Sequence, residues 1–238
     1  MLEAALWGFV AGSALLVGAA IGIWAHISRR IVALVMGFGA GALVSAVSFD
    51  LTEEALNLGG AAPTALGLAA GGITFFVGDL LIERREAAAG NGGAGGGGLP
   101  IVLGALLDGL PESIVLGASL LAGGGPSVSF LAAVFVSNLP EGLAGARDLR
   151  EAGRSPRWIM GLWLAVAVAS AVAAAIGFAL LGDMPPARAA VIQAFAAGAI
   201  LAMLADSMFP EAFEYGGIGV GLATVFGFAL AAFLSAAG

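Results

Sequence analysis

Two short stretches of this chain carry oxygen ligands at helical spacing. GLPESIVLG at 109–117 returns as NLPEGLAGA at 138–146, with Pro111 directly before Glu112 and Pro140 directly before Glu141. On a helix, Asp108 and Glu112 are four residues apart and stack on one face; Ser137 and Glu141 do the same, with Asn138 three residues before Glu141. Proline has no N–H to donate, and its ring pushes aside the carbonyl four residues back, so the carbonyls of Leu107 and Val136 lose their helical partners. A carboxylate beside a freed carbonyl is an oxygen-ligand site for a divalent cation. The alternative is packing alone, in which protonated acids and Asn138 hydrogen-bond neighbouring helices.

The elements that hold these residues must sit in lipid. Sixty per cent of the 238 residues are hydrophobic and only 11% are charged, with a mean hydropathy of +1.04. Apolar runs of about 20 residues recur, each long enough to cross ~30 Å of hydrocarbon. The composition is that of an all-α integral membrane protein with eight expected spans, at 4–27, 31–57, 62–83, 99–122, 126–147, 157–182, 186–213 and 216–237. The first run is too long for a signal segment and follows no basic stretch, so it is expected to be a retained helix. There is no cysteine, hence no disulfide and no thiolate for a soft metal. The net charge of −7 comes partly from acids inside apolar runs, so it speaks for sites within the membrane rather than for nucleic acid or another soluble partner.

One Gly/Ala-rich stretch, RREAAAGNGGAGGGG at 84–98, reads as a flexible cytoplasmic loop. It divides a single transmembrane domain into a first repeat (1–83), a central pair of helices (99–149) and a second repeat (155–238). All nine basic residues are arginines. With both termini outside, Arg29, Arg30, Arg84, Arg85, Arg147, Arg150, Arg154 and Arg157 fall on the cytoplasmic side and Arg188 alone outside, which sets the expected orientation in the plasma or inner membrane.

The repeat is visible by direct alignment. GFGAGALVSAVSFDLTEEALNLGG (37–60) and AFAAGAILAMLADSMFPEAFEYGG (194–217) share Phe38 with Phe195, Gly41 with Gly198, Glu54 with Glu211 and the closing Gly-Gly pair. One lies in an even-numbered and the other in an odd-numbered span, so they would cross in opposite directions, the pattern of an inverted repeat and of alternating access. Asp50 and Glu54 share a face near the outer end of span two, where they could gather cations. Asp206 and Glu211, like Asp79 and Glu83, lie toward inner ends as exit residues.

An unpaired carboxylate at a helix centre costs about 2.5–3.5 kcal/mol on insertion scales. No Lys or Arg occurs inside spans two, four, five or seven to offset it, which leaves protons or a shared cation. Enzyme chemistry finds no support: FFVGDLL at 75–81 lacks the rest of an intramembrane aspartyl-protease pair, and there is neither a His-Glu-x-x-His motif nor a nucleophile elbow.

DGLPES and SNLPEG resemble the paired metal motifs of the ZIP (Zrt/Irt-like) divalent-metal transporters, and AFAAGAILAMLADSMFPEAFE is similar to that family's seventh helix. The resemblance implies eight transmembrane helices in a three-plus-two-plus-three arrangement, a homodimer, and an elevator-type import of a divalent cation. It also implies metal ligands at Asp108, Glu112, Ser137, Asn138 and Glu141. The departures are Gly109 where the family often has Asn, Leu43 where some members place methionine, and a sixth span with no glutamate, so one metal is expected rather than two. His26, the only histidine, sits beside Arg29 and Arg30 at a loop. The resemblance favours Zn²⁺; an all-oxygen ligand set favours Mn²⁺, Mg²⁺ or Fe²⁺. No resident cofactor is expected, and the chain carries no P-loop for ATP. The competing expectation is a ZIP-like membrane protein that has lost transport and serves as a sensor or partner-binding module.

Overall fold

A computed structural model describes residues 1–89, 99–122, 126–182 and 184–237. Ten α-helices follow in order: α1 (Leu2–Trp24), α2 (Arg29–Ala46), α3 (Glu53–Gly59), α4 (Ala61–Ala89), α5 (Leu99–Ser119), α6 (Val128–Glu151), α7 (Pro156–Leu181), α8 (Pro186–Met203), α9 (Phe209–Gly216) and α10 (Gly219–Ala237). There is no strand among the described residues. Starts are set by local chemistry: Ser28, Ser127 and Ser155 accept hydrogen bonds from the N–H groups of Ile31, Phe130 and Trp158, and Pro156 sits in the first turn of α7. Seven rods are long and apolar enough to cross a membrane, which makes the chain a multi-pass membrane protein. Residues 84–89, expected to be loop, are helical instead, because α4 runs on to Ala89. Residues 84–89, RREAAA, are all good helix formers and prolong the rod; 90–98 lie outside the described residues.

α2 and α3 are one rod joined by a π-helical turn, Val47–Thr52, and α8 and α9 are another joined by Leu204–Met208. In the alignment above, the two π turns begin at matched residues, Val47 and Leu204. Both rods also end at a matched glycine with positive φ, Gly60 (77°) and Gly217 (62°), whose N–H groups return to the matched carbonyls of Leu56 and Phe213. Only glycine takes that conformation without strain. The two segments recognised as alike in sequence therefore fold alike down to their irregularities.

Packing follows the same relation. α2 packs on α10 and α8 on α4, while α1 packs on α6 and α7, and α5 on α7. The first two crossings are closed by reciprocal glycines against carbonyls: Gly41 on Thr224 and Gly227 on Phe38 in the α2/α10 pair, Gly198 on Leu68 and Gly71 on Phe195 in the α4/α8 pair. The α1/α6 and α5/α7 crossings match likewise, through Gly18, Gly142, Gly117 and Gly177. Small residues permit such backbone approach, the main attraction open to helices in lipid. Two groups result, α1/α5/α6/α7 and α2/α4/α8/α10, meeting chiefly where α2 faces α6 and α5 faces α8.

Candidate functional site

The central cavity lies on the seam between those groups. It holds about 220 Å³ and is lined by Asp108 and Glu112 from α5, Ser137 and Glu141 from α6 and Trp163 from α7. The other group contributes Met36, Met203, Ser207, Met208 and Glu211. Asp148 completes five carboxylates around one space, with no basic side chain among its lining residues. Both helices pass through their prolines without ending. The side chains thus keep helical registry while the carbonyls of Leu107 and Val136 lose their usual donor.

Glu112 is the most constrained of these acids. It is 2% exposed, and its Oε2 is buried with no hydrogen-bond partner. Trp163, on the same cavity, has its indole N–H buried and unpaired as well. The cavity thus holds one buried acceptor and one buried donor that no protein group satisfies. Among the described residues, however, no three acidic or histidine side chains converge on a point where one ion would touch them all.

Asn138 turns away. It is buried and donates from Nδ2 to the Ala11 carbonyl on α1 at 3.4 Å, so it pins α6 to α1 instead of lining the cavity. Ser137 does line it, with its hydroxyl donated to the Val134 carbonyl at 2.9 Å. Glu211 lies at the mouth, where a smaller hollow of about 110 Å³ adds Arg29, Arg147 and Tyr215. Arg29 stacks on the Tyr215 ring at 5.1 Å, and Arg147 donates to the Ile27 carbonyl at 2.7 Å, so the mouth opens at the arginine-rich end. Asp206 is exposed and lines none of these hollows; nor do Asp79 and Glu83. His26 is exposed in the loop between α1 and α2.

Asp50 and Glu54 belong to a third hollow of about 850 Å³ at the opposite end. There Asp50 is already engaged: Ser129 and Ser127 donate to its Oδ2 at 2.5 and 3.3 Å, and Ser235 donates to Oδ1 at 2.6 Å. These bonds tie the α2 π turn and α10 to the start of α6, across the seam between the two groups. Hydrogen bonds to a charged acceptor are worth about 1.5–3 kcal/mol, so Asp50 serves as a latch rather than a free collector of ions. Asp50→Ala is expected to raise the rate at which a water-soluble maleimide labels Val115→Cys, now 3% exposed in that hollow, by about tenfold. The chain has no native cysteine to confuse the readout. An unchanged rate would show that the three serines do not hold this end closed.

The three methionines, Trp163 and Ser207 were not foreseen as lining residues. No spacing rule distinguishes a cavity methionine from a core one, but Met36 could have been noticed, because it stands one residue before the repeat alignment begins. No protein-family model and no curated protein matches this chain. The likeness to the ZIP family thus rests on the sequence motifs alone.

Proposed function

We propose that the protein is a divalent metal cation transporter that moves its cargo toward the cytoplasm through the central cavity by alternating access. The observation that carries this reading is the burial of Glu112, with one oxygen unpartnered, on a cavity that it shares with Asp108, Glu141 and no base. Several acids gathered away from water are tolerable with protons or with a cation between them, and a dication offsets two charges at once. The paired π turns, the matched glycine caps and the reciprocal crossings support an inverted repeat of the kind that switches access. With α5 as an eighth span, the arginine-rich end is cytoplasmic and both termini are outside.

Because the cavity draws its acids from α5 and α6 on one side of the seam and from α9 on the other, sliding α1/α5/α6/α7 against the remaining helices would assemble and dismantle the ligand set. That is the elevator motion of the ZIP resemblance, and it agrees with the incomplete convergence of the acids in this conformation. An inside-negative potential favours entry of a dication by about 4.6 kcal/mol per 100 mV, twice the single-charge figure, without ATP.

The second reading is a ZIP-like sensor or partner-binding protein with a degenerate site, favoured by the same lack of convergence. Uptake of Zn²⁺, Mn²⁺, Fe²⁺, Co²⁺, Cd²⁺ and Mg²⁺ by proteoliposomes separates the two. Transport predicts saturable uptake of at least one ion that rises with an inside-negative potential. Absence of flux for all six would leave the sensor reading.

A further inference from the structure

The large hollow at the Arg188 end contains a second set of oxygen groups that the central site does not use. It is lined by Glu53, Glu54 and Asn57 from α3, by Gln193 from α8, and by the Asp50 latch. Gln193 is the informative residue. It is 5% exposed, it lines the hollow, and its Oε1 is buried without a hydrogen-bond partner. A buried primary amide ordinarily fills its donor and acceptor sites, so an unpartnered amide oxygen on a residue of this acidic wall is a reason to look for a ligand there. A half-turn about its terminal torsion presents oxygen or nitrogen to that space.

The packing explains why Glu54 and Gln193 share it. Ala55, next to Glu54, is fully buried in one cluster with Ala190 and Ala194, which flank Gln193 on α8. These three methyl groups, with Leu68 of α4 packed beside them, bring α3 against α8, and Glu54 and Gln193 both line the hollow at that seam. The repeat adds an independent argument. Glu54 is matched by Glu211 and Gln193 by Met36, and both mates line the mouth of the central cavity at the other end. The pseudo-twofold relation thus exchanges the two hollows. One mouth pairs its glutamate with a thioether and two arginines, a poor resting place for a hard cation. The other pairs it with an amide oxygen, further acids and no base among its lining residues.

We infer that Glu54 and Gln193 form a second divalent-cation site in the hollow at the Arg188 end, separate from the central cavity and selecting oxygen-loving ions such as Mn²⁺. The inference takes its cargo class from the transport reading but not its geometry. Carboxylate plus amide oxygen, completed by water, is a ligand set for a hard, partly hydrated cation. In an import cycle such a site loads the ion before Asp50 releases α6.

The test is the number of Mn²⁺ ions bound per full-length chain in detergent, measured by equilibrium dialysis with metal analysis. Two per chain are expected for the wild type. Glu54→Gln and Gln193→Ala should each weaken one of the two sites by about tenfold or more and leave the other unchanged. Gln193→Glu, which adds a charge without removing the ligand, should tighten that same site severalfold. Glu112→Gln should remove the other site and spare this one. If neither Glu54→Gln nor Gln193→Glu alters Mn²⁺ binding, the second site is refuted, whatever Glu112→Gln does. If Glu112→Gln alone has no effect, the central site is refuted and the second stands.

Discussion

Glu112→Gln is expected to reduce cation flux into proteoliposomes to about a hundredth of the wild-type rate or less, for every ion that the wild type carries. The change removes a charge and keeps the shape, so it tests the ligand and not the packing. Glu112 is buried with one oxygen bonded to nothing, and replacing an unpaired buried carboxylate by its neutral amide relieves desolvation. The variant should therefore melt no lower than the wild type while failing to transport. Glu141→Gln should behave in the same way, because Glu141 lines the same cavity from α6.

Asn138→Ala should give the opposite result. The motif makes Asn138 a ligand, whereas the fold spends its amide on the Ala11 carbonyl at 3.4 Å. Losing one interhelical hydrogen bond in lipid costs about 0.6 kcal/mol, so flux should fall less than about threefold. Equal losses in Asn138→Ala and Glu112→Gln would mean that Asn138 rotates into the site during the cycle and that the cavity as described is not the binding state. Flux surviving in Glu112→Gln would remove the central cavity from the path altogether.

What could be foretold from the chain divides along a physical line. Hydropathy over about 20 residues is a local property, so seven of the eight expected spans coincide with one apolar rod each, while the stretch 99–122 folds as α5, which is not among those seven. Long-range register is not local. The Pro-Glu repeat aligns Glu112 with Glu141, yet the glycine contacts pair Ile114 and Gly117 of α5 with Leu139 and Gly142 of α6 as symmetry-related positions. On that footing the mate of Glu112 is Ser137, one helical turn from Glu141. The two motifs are thus alike in letters but not at symmetry-related positions, so their likeness does not place the two carboxylates as mates across the cavity. Asn138 parts from Ser137 because adjacent residues on a helix point about 100° apart: Ser137 lines the cavity while Asn138 reaches α1. Asp50 was expected to be free because no sequence rule brings Ser129 and Ser235 to one carboxylate. The π turns were also illegible, since the shift of about 100° that one extra residue gives the pattern shows only against a polar face, and these rods are apolar on most sides.

The sharpest consequence for stability concerns the smallest substitution. Gly198→Ala places one methyl group against the Leu68 carbonyl on α4, and Gly41→Ala places one against the Thr224 carbonyl on α10. In an isolated helix, glycine to alanine is favourable by about 1 kcal/mol. Here the added carbon meets backbone rather than a flexible side-chain tip, so α8 must retreat from α4, or α2 from α10, along the whole crossing. Overpacking of that kind costs about 1–3 kcal/mol, and the lost interhelical contact adds to it. Each variant should therefore be destabilised by about 3 kcal/mol, measured by thermal unfolding in detergent. Gly161→Ala on α7, where a methyl group meets nothing within 4 Å, should instead be neutral or stabilised by up to about 1 kcal/mol. The two crossings are related residue by residue, so the losses at Gly41 and Gly198 should agree to within about 1 kcal/mol. A large loss at Gly198 with none at Gly41 would mean that the halves do not share one packing scheme, and the exchange of hollows inferred from that scheme would lose its footing.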